Sequence, residues 1–186
     1  MHGVTNDWKC PRRRVSTGIV LRLLVIVVGC VLVQTADVHG QSIIGIGEQR
    51  VLRVLGEAIT VKIDGEHTQG KYAVIEEVSP VGGGPPLHIH RDEDEVLYVL
   101  GGELELQLGD QRVRAKAGST AYLPREVPHT FRNVGTTPSK VLLVIIPARF
   151  VGFFDEVHGL MKPTPEQAME LGKAYGLTFL PPPKGN

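Results

Sequence analysis

From Ala58 onward the chain is dominated by short runs in which apolar and polar residues alternate. Ile59-Thr-Val-Lys-Ile63 repeats with a period of two, which sends successive side chains to opposite faces of a β-strand. Asp64-Gly65 marks a turn, and Lys71-Tyr-Ala-Val-Ile-Glu-Glu-Val78 reads as the next strand. Val81 to Pro86 is a Gly/Pro loop leading into a strand with His88 and His90. Further strands are expected at Glu95–Leu100, Glu103–Leu108, Arg112–Ala115, Ser119–Leu123, His129–Arg132 and Lys140–Ile146. In Glu103-Leu-Glu-Leu-Gln-Leu108 the leucines point inward, and Gly109-Asp110 closes a hairpin. Many short strands separated by turn signals predict an all-β sandwich or barrel. Periodicity alone does not choose between the two.

The period changes in the tail. Phe150-Val-Gly-Phe-Phe-Asp-Glu-Val157 is expected to form a short helix across one barrel mouth. Thr164-Pro165-Glu166-Gln167 combines an N-cap threonine, proline at N1 and glutamine at N3, so Glu166 to Tyr175 should be helical with Gly176 as its stop. The layout is therefore an all-β body over residues 58–148, whose closure into a barrel the periodicity leaves open, and a helical extension over 149–186. Residues 41–57, starting with Ile44-Gly-Ile-Gly47, read as a linker or N-terminal arm.

The first 40 residues have a different character. Arg12-Arg13-Arg14 precede the apolar run Leu23 to Val33, and small residues follow near Val38-His39-Gly40. This matches a secretory signal with cleavage after Gly40. An uncleaved anchor through residues 15–36 and lipidation at Cys30, in Val27-Val28-Gly29-Cys30, are the alternatives. All three readings export the body, periplasmic or extracellular, or tether it to a membrane. The 186 residues balance 20 Lys/Arg against 20 Asp/Glu, which argues against a nucleic-acid partner. Residues 1–40 hold five of those bases and two of those acids, leaving 15 and 18 for a mildly acidic body. Cys10 and Cys30 both lie in the leader, so residues 41–186 contain no cysteine nucleophile, disulfide or thiolate ligand.

The candidate chemistry lies in Gly82-Gly-Gly-Pro-Pro-Leu-His88-Ile-His90-Arg-Asp-Glu-Asp-Glu95. On a strand, His88 and His90 share a face, and a carboxylate follows after a short turn. Two imidazoles and a carboxylate make most of a site for a divalent transition metal. His129, in Pro124-Arg-Glu-Val-Pro-His129, is the fourth candidate. Isolated histidines are more often surface or core residues than ligands. His67, His158 and the Asp92-Glu93-Asp94 run read as surface. Tyr98, Tyr122, Phe131, Phe150, Phe153 and Phe154 are candidate pocket aromatics that could equally serve as packing.

The spacing around these histidines resembles the two-motif signature of the cupin superfamily, single-domain type. Gly82, His88, His90, Glu95 and Gly102 meet every position of the first motif, and Gly118, Pro124, His129 and Asn133 fit the second. Glu126 stands where the second motif has glycine. The resemblance implies a small, jelly-roll-like β-barrel in which His88, His90, Glu95 and His129 hold a metal. Iron, manganese, nickel, cobalt, copper and zinc all suit these donors. A non-glycine residue at 126 costs roughly 1 kcal/mol or takes another turn, so the expectation is a slightly altered loop before His129 and an intact site. The Phe-rich helix, second helix and Tyr-Gly-Leu…Pro-Pro ending also resemble quercetin dioxygenase-like cupins. In those proteins the glutamate matching Glu95 is assigned a catalytic-base role. The leading expectation is a metal-dependent dioxygenase-type oxidoreductase acting on a small aromatic or enolic molecule. A redox-neutral isomerase or decarboxylase and a non-catalytic binding module are the alternatives, because this fold hosts all three. Homodimers are common in the family, though no residue here demonstrates one.

Overall fold

The computed structural model describes residues 43–160 and 162–181. The leader features, Cys10 and Cys30 among them, lie outside the described residues. Eleven strands and three α-helices follow in chain order among those described. They are β1 (Arg50–Val54), β2 (Glu57–Ile63), α1 (Gly65–Thr68), β3 (Ala73–Ser79), β4 (His88–His90), β5 (Asp94–Gly101) and β6 (Glu103–Leu108). After them come β7 (Gln111–Lys116), β8 (Thr120–Leu123), β9 (His129–Asn133), β10 (Ser139–Ile146), α2 (Val151–Gly159), α3 (Pro165–Ala174) and β11 (Leu177–Phe179). They form two antiparallel sheets, ordered β1-β2-β3-β10-β5-β8 and β11-β4-β9-β6-β7.

Alternation decides which face of each strand is buried. Ile59 and Val61 of β2, Ala73 and Ile75 of β3, Leu97 and Val99 of β5, and Val141, Leu143 and Ile145 of β10 all point inward. Leu104 and Leu106 of β6 and Phe131 of β9 face them from the other sheet. Each large aliphatic side chain buried this way contributes about 1.5–3 kcal/mol, and this inner layer holds the two sheets together. Gly102 allows the tight β5–β6 reversal: its φ is +85°, and a Cβ there would lie 2.8 Å from Ser139.

Three segments differ from the sequence expectation. Residues 50–54, read as linker or arm, are an edge strand, because Leu52 and Val54 continue the inward alternation and β1 pairs along β2. Asp64-Gly65 is more than a turn: the Asp64 side chain caps the short helix α1, with His67 completing the box. The tail residues Leu177–Phe179 add a strand beside His88–His90. The second tail helix runs Pro165–Ala174, and its capping box of Thr164 and Gln167 is the one read from the sequence. The Phe-rich segment forms α2 after a 3-10 turn over Ala148–Phe150 and buries Val151, Phe153, Phe154 and Val157. No helix among the described residues is long and apolar enough to cross a membrane.

Candidate metal centre

Three strands, two from one sheet and one from the other, bring the expected donors together. His88 and His90 face inward from β4, with His90 1% exposed. β9 pairs antiparallel with β4, and the register sets His129 directly opposite His88. Glu95 enters from the other sheet on β5, held between β10 and β8 at Ile145 and Leu123. One donor atom from each of His88, His90, Glu95 and His129 lies within 4.8 Å of all the others, and all four residues are buried.

Backbone contacts aim two of the rings. His88 Nδ1 lies 2.7 Å from the Pro86 carbonyl and His129 Nδ1 2.8 Å from the Val127 carbonyl. A protonated Nδ1 donating to these carbonyls leaves Nε2 unprotonated and free to ligate. His90 differs: its Nδ1 stands 3.6 Å from Glu93 Oε2, and Glu93 is fully buried. The expectation that Glu93 is a surface residue is therefore wrong, whereas Asp92 and Asp94 are partly exposed. The short turn after β4 folds Glu93 back under the His90 ring. Phe150 packs edge-on against the same ring at 4.3 Å between centroids.

The electrostatics suit a cation. Burial, with the neighbouring His129 and His90, pulls His88 down from its ordinary value to about 3, so its ring is neutral at physiological pH. Burial alone would raise Glu95, but interaction with His129 and the other two imidazoles outweighs it and holds the carboxyl at about 2. His90 Nε2 and His129 Nε2 each stand 3.6 Å from a Glu95 oxygen, too long for hydrogen bonds. Ligand atoms around a small ion with bonds of about 2.1 Å sit roughly 3–3.5 Å apart, which is near this spacing. His129 Nε2 is buried and has no hydrogen-bond partner, so it is an orphaned donor atom aimed at the centre of the cluster. The residues fit a divalent transition ion.

The Glu126 departure leaves the site intact. Glu126 adopts φ +63°, the left-handed conformation that glycine would take more easily. Its N–H donates to the His90 carbonyl at 2.7 Å, and Arg125 next to it forks onto Asp94 at 2.8 and 3.1 Å. These contacts tie the loop before His129 to both β4 and β5. Asn133 holds the other end of β9: its Nδ2 donates to the Ser79, Pro80 and Thr137 carbonyls.

The cluster lies in a cavity of about 360 Å³. Phe131, Phe150, Phe153 and Phe154 line it as the sequence suggested, joined by Phe179 from β11. Tyr98 and Tyr122 point outward and are 40% and 58% exposed, so they belong to the outer face of the six-stranded sheet. His67 and His158 are exposed and serve local structure: one caps α1, and the other accepts the Arg53 N–H. The sequence reading missed Glu57 and Glu77, which also line the cavity. A signal was present, because both occupy inward parity positions, Glu57 with Ile59 and Val61, and Glu77 with Ala73 and Ile75.

Residues 74–145 match a family model described as a cupin domain. A 77-residue segment is 34% identical to an uncharacterized protein of Methanocaldococcus jannaschii, covering 41% of this chain and 62% of that protein. A 76-residue segment is 33% identical to Quercetin 2,3-dioxygenase of Bacillus subtilis, covering 41% of this chain and 23% of that enzyme. The chain thus spans less than two thirds of the length of either relative. The crystal structure of an RmlC-like cupin from Shewanella frigidimarina shares the fold at TM-score 0.51 and 19% identity, over 59% of this chain and 94% of that one.

Proposed function

We propose that this chain, which carries a cupin domain over residues 74–145, is a metal-dependent oxidoreductase that adds dioxygen to a small aromatic or enolic substrate. The observation that carries the reading is the convergence of His88, His90, Glu95 and His129 in a largely apolar cavity. When bound, a divalent transition ion would supply Lewis-acid and one-electron chemistry. The Pro86 and Val127 carbonyls keep two imidazoles oriented toward it. Glu95, ionised at neutral pH, can act as a ligand or take the proton of a substrate hydroxyl. Phe150, Phe153 and Phe154 exclude water and offer ring faces to a planar substrate. Partial likeness to a quercetin dioxygenase supports the same choice of substrate.

Elemental analysis of the purified full chain, followed by oxygen-electrode traces with flavonols and diketones, tests the reading. Metal-dependent oxygen uptake, abolished by Glu95→Gln, is the expected result. No uptake with any of the six candidate metals overturns it, and substrate conversion without oxygen assigns a redox-neutral isomerase or decarboxylase instead. Tight ligand binding with no turnover, surviving the double change His88→Ala and His90→Ala, would identify a binding module. The basic and apolar pattern of the leader supports a location outside the cytoplasm or at a membrane surface, which cell fractionation of the full chain checks.

A further inference from the structure

The cavity has a second polar end. Glu57 and Glu77 line it, and only 8% and 6% of their surfaces remain exposed. Glu77 sits opposite Ile59 in the β2–β3 register, so Glu57, two residues before Ile59 on the same face, is its diagonal neighbour. The Gly84 N–H donates to Glu57 Oε1 at 2.9 Å, while Glu57 Oε2 is buried with no partner. Gly84 can approach this closely because it lacks a Cβ, which would collide with the Phe131 carbonyl. Among the described residues, Glu77 has neither a hydrogen bond nor an ion pair, and no lysine or arginine lines the cavity.

We propose that Glu57 and Glu77 bind the adjacent hydroxyl groups of a neutral, ring-containing substrate whose other end reaches the His/Glu cluster. The proposal rests on reading that cluster as the metal site. Register sets the separation of the two ends: Glu95 pairs with Ile145, Ile145 with Ala73, and Glu77 lies four residues beyond Ala73. At about 3.3 Å per residue that is a backbone offset of roughly 13 Å along the strand, which the inward-reaching side chains shorten, since Glu77 lies near enough to Glu95 to feel its charge. Leu143, Phe131 and the α2 phenylalanines line the cavity that such rings would occupy.

Stability does not explain the pair. Two carboxyl groups buried side by side without a cation destabilise the fold, and apolar residues would pack there at less cost. The groups facing Glu77 are Glu57 from β2 and Glu95 from β5, with the His88, His90 and His129 imidazoles across the cavity. Burial, then repulsion from Glu57 and Glu95, pushes the Glu77 carboxyl up to about 8, so it carries its proton at neutral pH. The pair therefore presents an O–H donor on Glu77 beside the unpartnered Glu57 Oε2. Adjacent hydroxyl groups match both at once. An ammonium group supplies donors only and leaves the Glu77 proton without an acceptor.

The full chain loaded with Zn(II), which is redox-inert, is titrated with 3-hydroxyflavone and with 3,3′,4′-trihydroxyflavone, following flavone fluorescence. Each ligand carries the same chelating end, and only the second has the diol. The expected result is about tenfold tighter binding of the diol, reduced to near equality by Glu57→Gln or Glu77→Met while zinc content and 3-hydroxyflavone affinity hold. Equal affinities in the unsubstituted chain, no binding of either flavone, or discrimination that survives both substitutions would each overturn the proposal. Preference for a 4′-aminomethyl analogue over the diol would also overturn it, assigning the pair to cations. The comparison within the unsubstituted chain needs no variant to fold. If zinc is not retained, the metal reading fails by that measurement, and the same titration on the metal-free chain still reads the diol discrimination.

Discussion

At one end of the cavity two imidazoles lean on backbone carbonyls and a third stands beside a buried carboxylate, whereas at the other end Glu57 has one anchor and Glu77 has none. The first end is organised in advance for a positive charge, and the arrival of an ion offsets the cost of burying its donors. The second is acidic, cation-free and open to a ligand. The two ends also respond oppositely to pH: burial drives the His88 imidazole down to about 3 and the Glu77 carboxyl up to about 8. Apolar burial pushes each group toward its neutral form, and an imidazole and a carboxyl are neutral on opposite sides of their titrations.

The largest effect expected at the cluster end follows from removing an orphaned donor. His129→Ala should lower metal affinity by more than the roughly 10–100-fold that loss of a supporting partner costs, read by elemental analysis after dialysis. Unchanged metal content would break the distinction between the two ends. The next test uses the metal-free chain and urea denaturation across pH. As pH falls from about 6.5 toward 3, the unfolded chain takes up a proton that folded His88 refuses, so stability is lost on that side. As pH rises from about 4.5 through 8, the folded chain keeps the Glu77 proton that the unfolded chain releases, so stability is lost on that side too. Glu77→Gln should flatten the alkaline limb, a gain on the order of a few kcal/mol at pH of about 9, and leave the acid limb in place. An alkaline limb that persists in this variant would show that Glu77 does not hold its proton. Glu93→Gln keeps the shape under His90 but removes the carboxyl group, and metal affinity should fall about 10–100-fold with the fold unchanged in circular dichroism. The smallest effect belongs to the loop inside the second motif, just before His129. Glu126→Gly relieves the left-handed backbone at φ +63° and should stabilise the chain by about 1 kcal/mol in thermal melts, with metal content unaltered.

Much of this was legible in the residues. Alternation in Glu103–Leu108 and Lys140–Ile146 located strands and their buried faces, because a period of two maps directly onto a pleated sheet. Thr164, Pro165 and Gln167 located the start of α3, because capping is a local interaction. The spacing of His88, His90, Glu95 and His129 identified the cluster through its likeness to a known signature, and the strand pairings then brought the four together. What failed was of a different kind. Glu93 sits in an acidic run that looks solvated, and only the fold-back of the turn onto His90 buries it. Residues 50–54 and 177–179 carry too few alternating positions to stand out as strands, and they exist because a neighbouring strand leaves an edge open to pair.

The sequence by itself determined an all-β body, the capped tail helix and, through motif spacing, the four cluster residues, since each is written in short-range periodicity or in that spacing. Only the tertiary structure decided that Glu57 and Glu77, residues with no motif and twenty positions apart, share one cavity with that cluster. Strand register is the reason: pairing β2 with β3, and β3 through β10 to β5, turns distant positions into neighbours on a single inner face, and no local pattern encodes that juxtaposition.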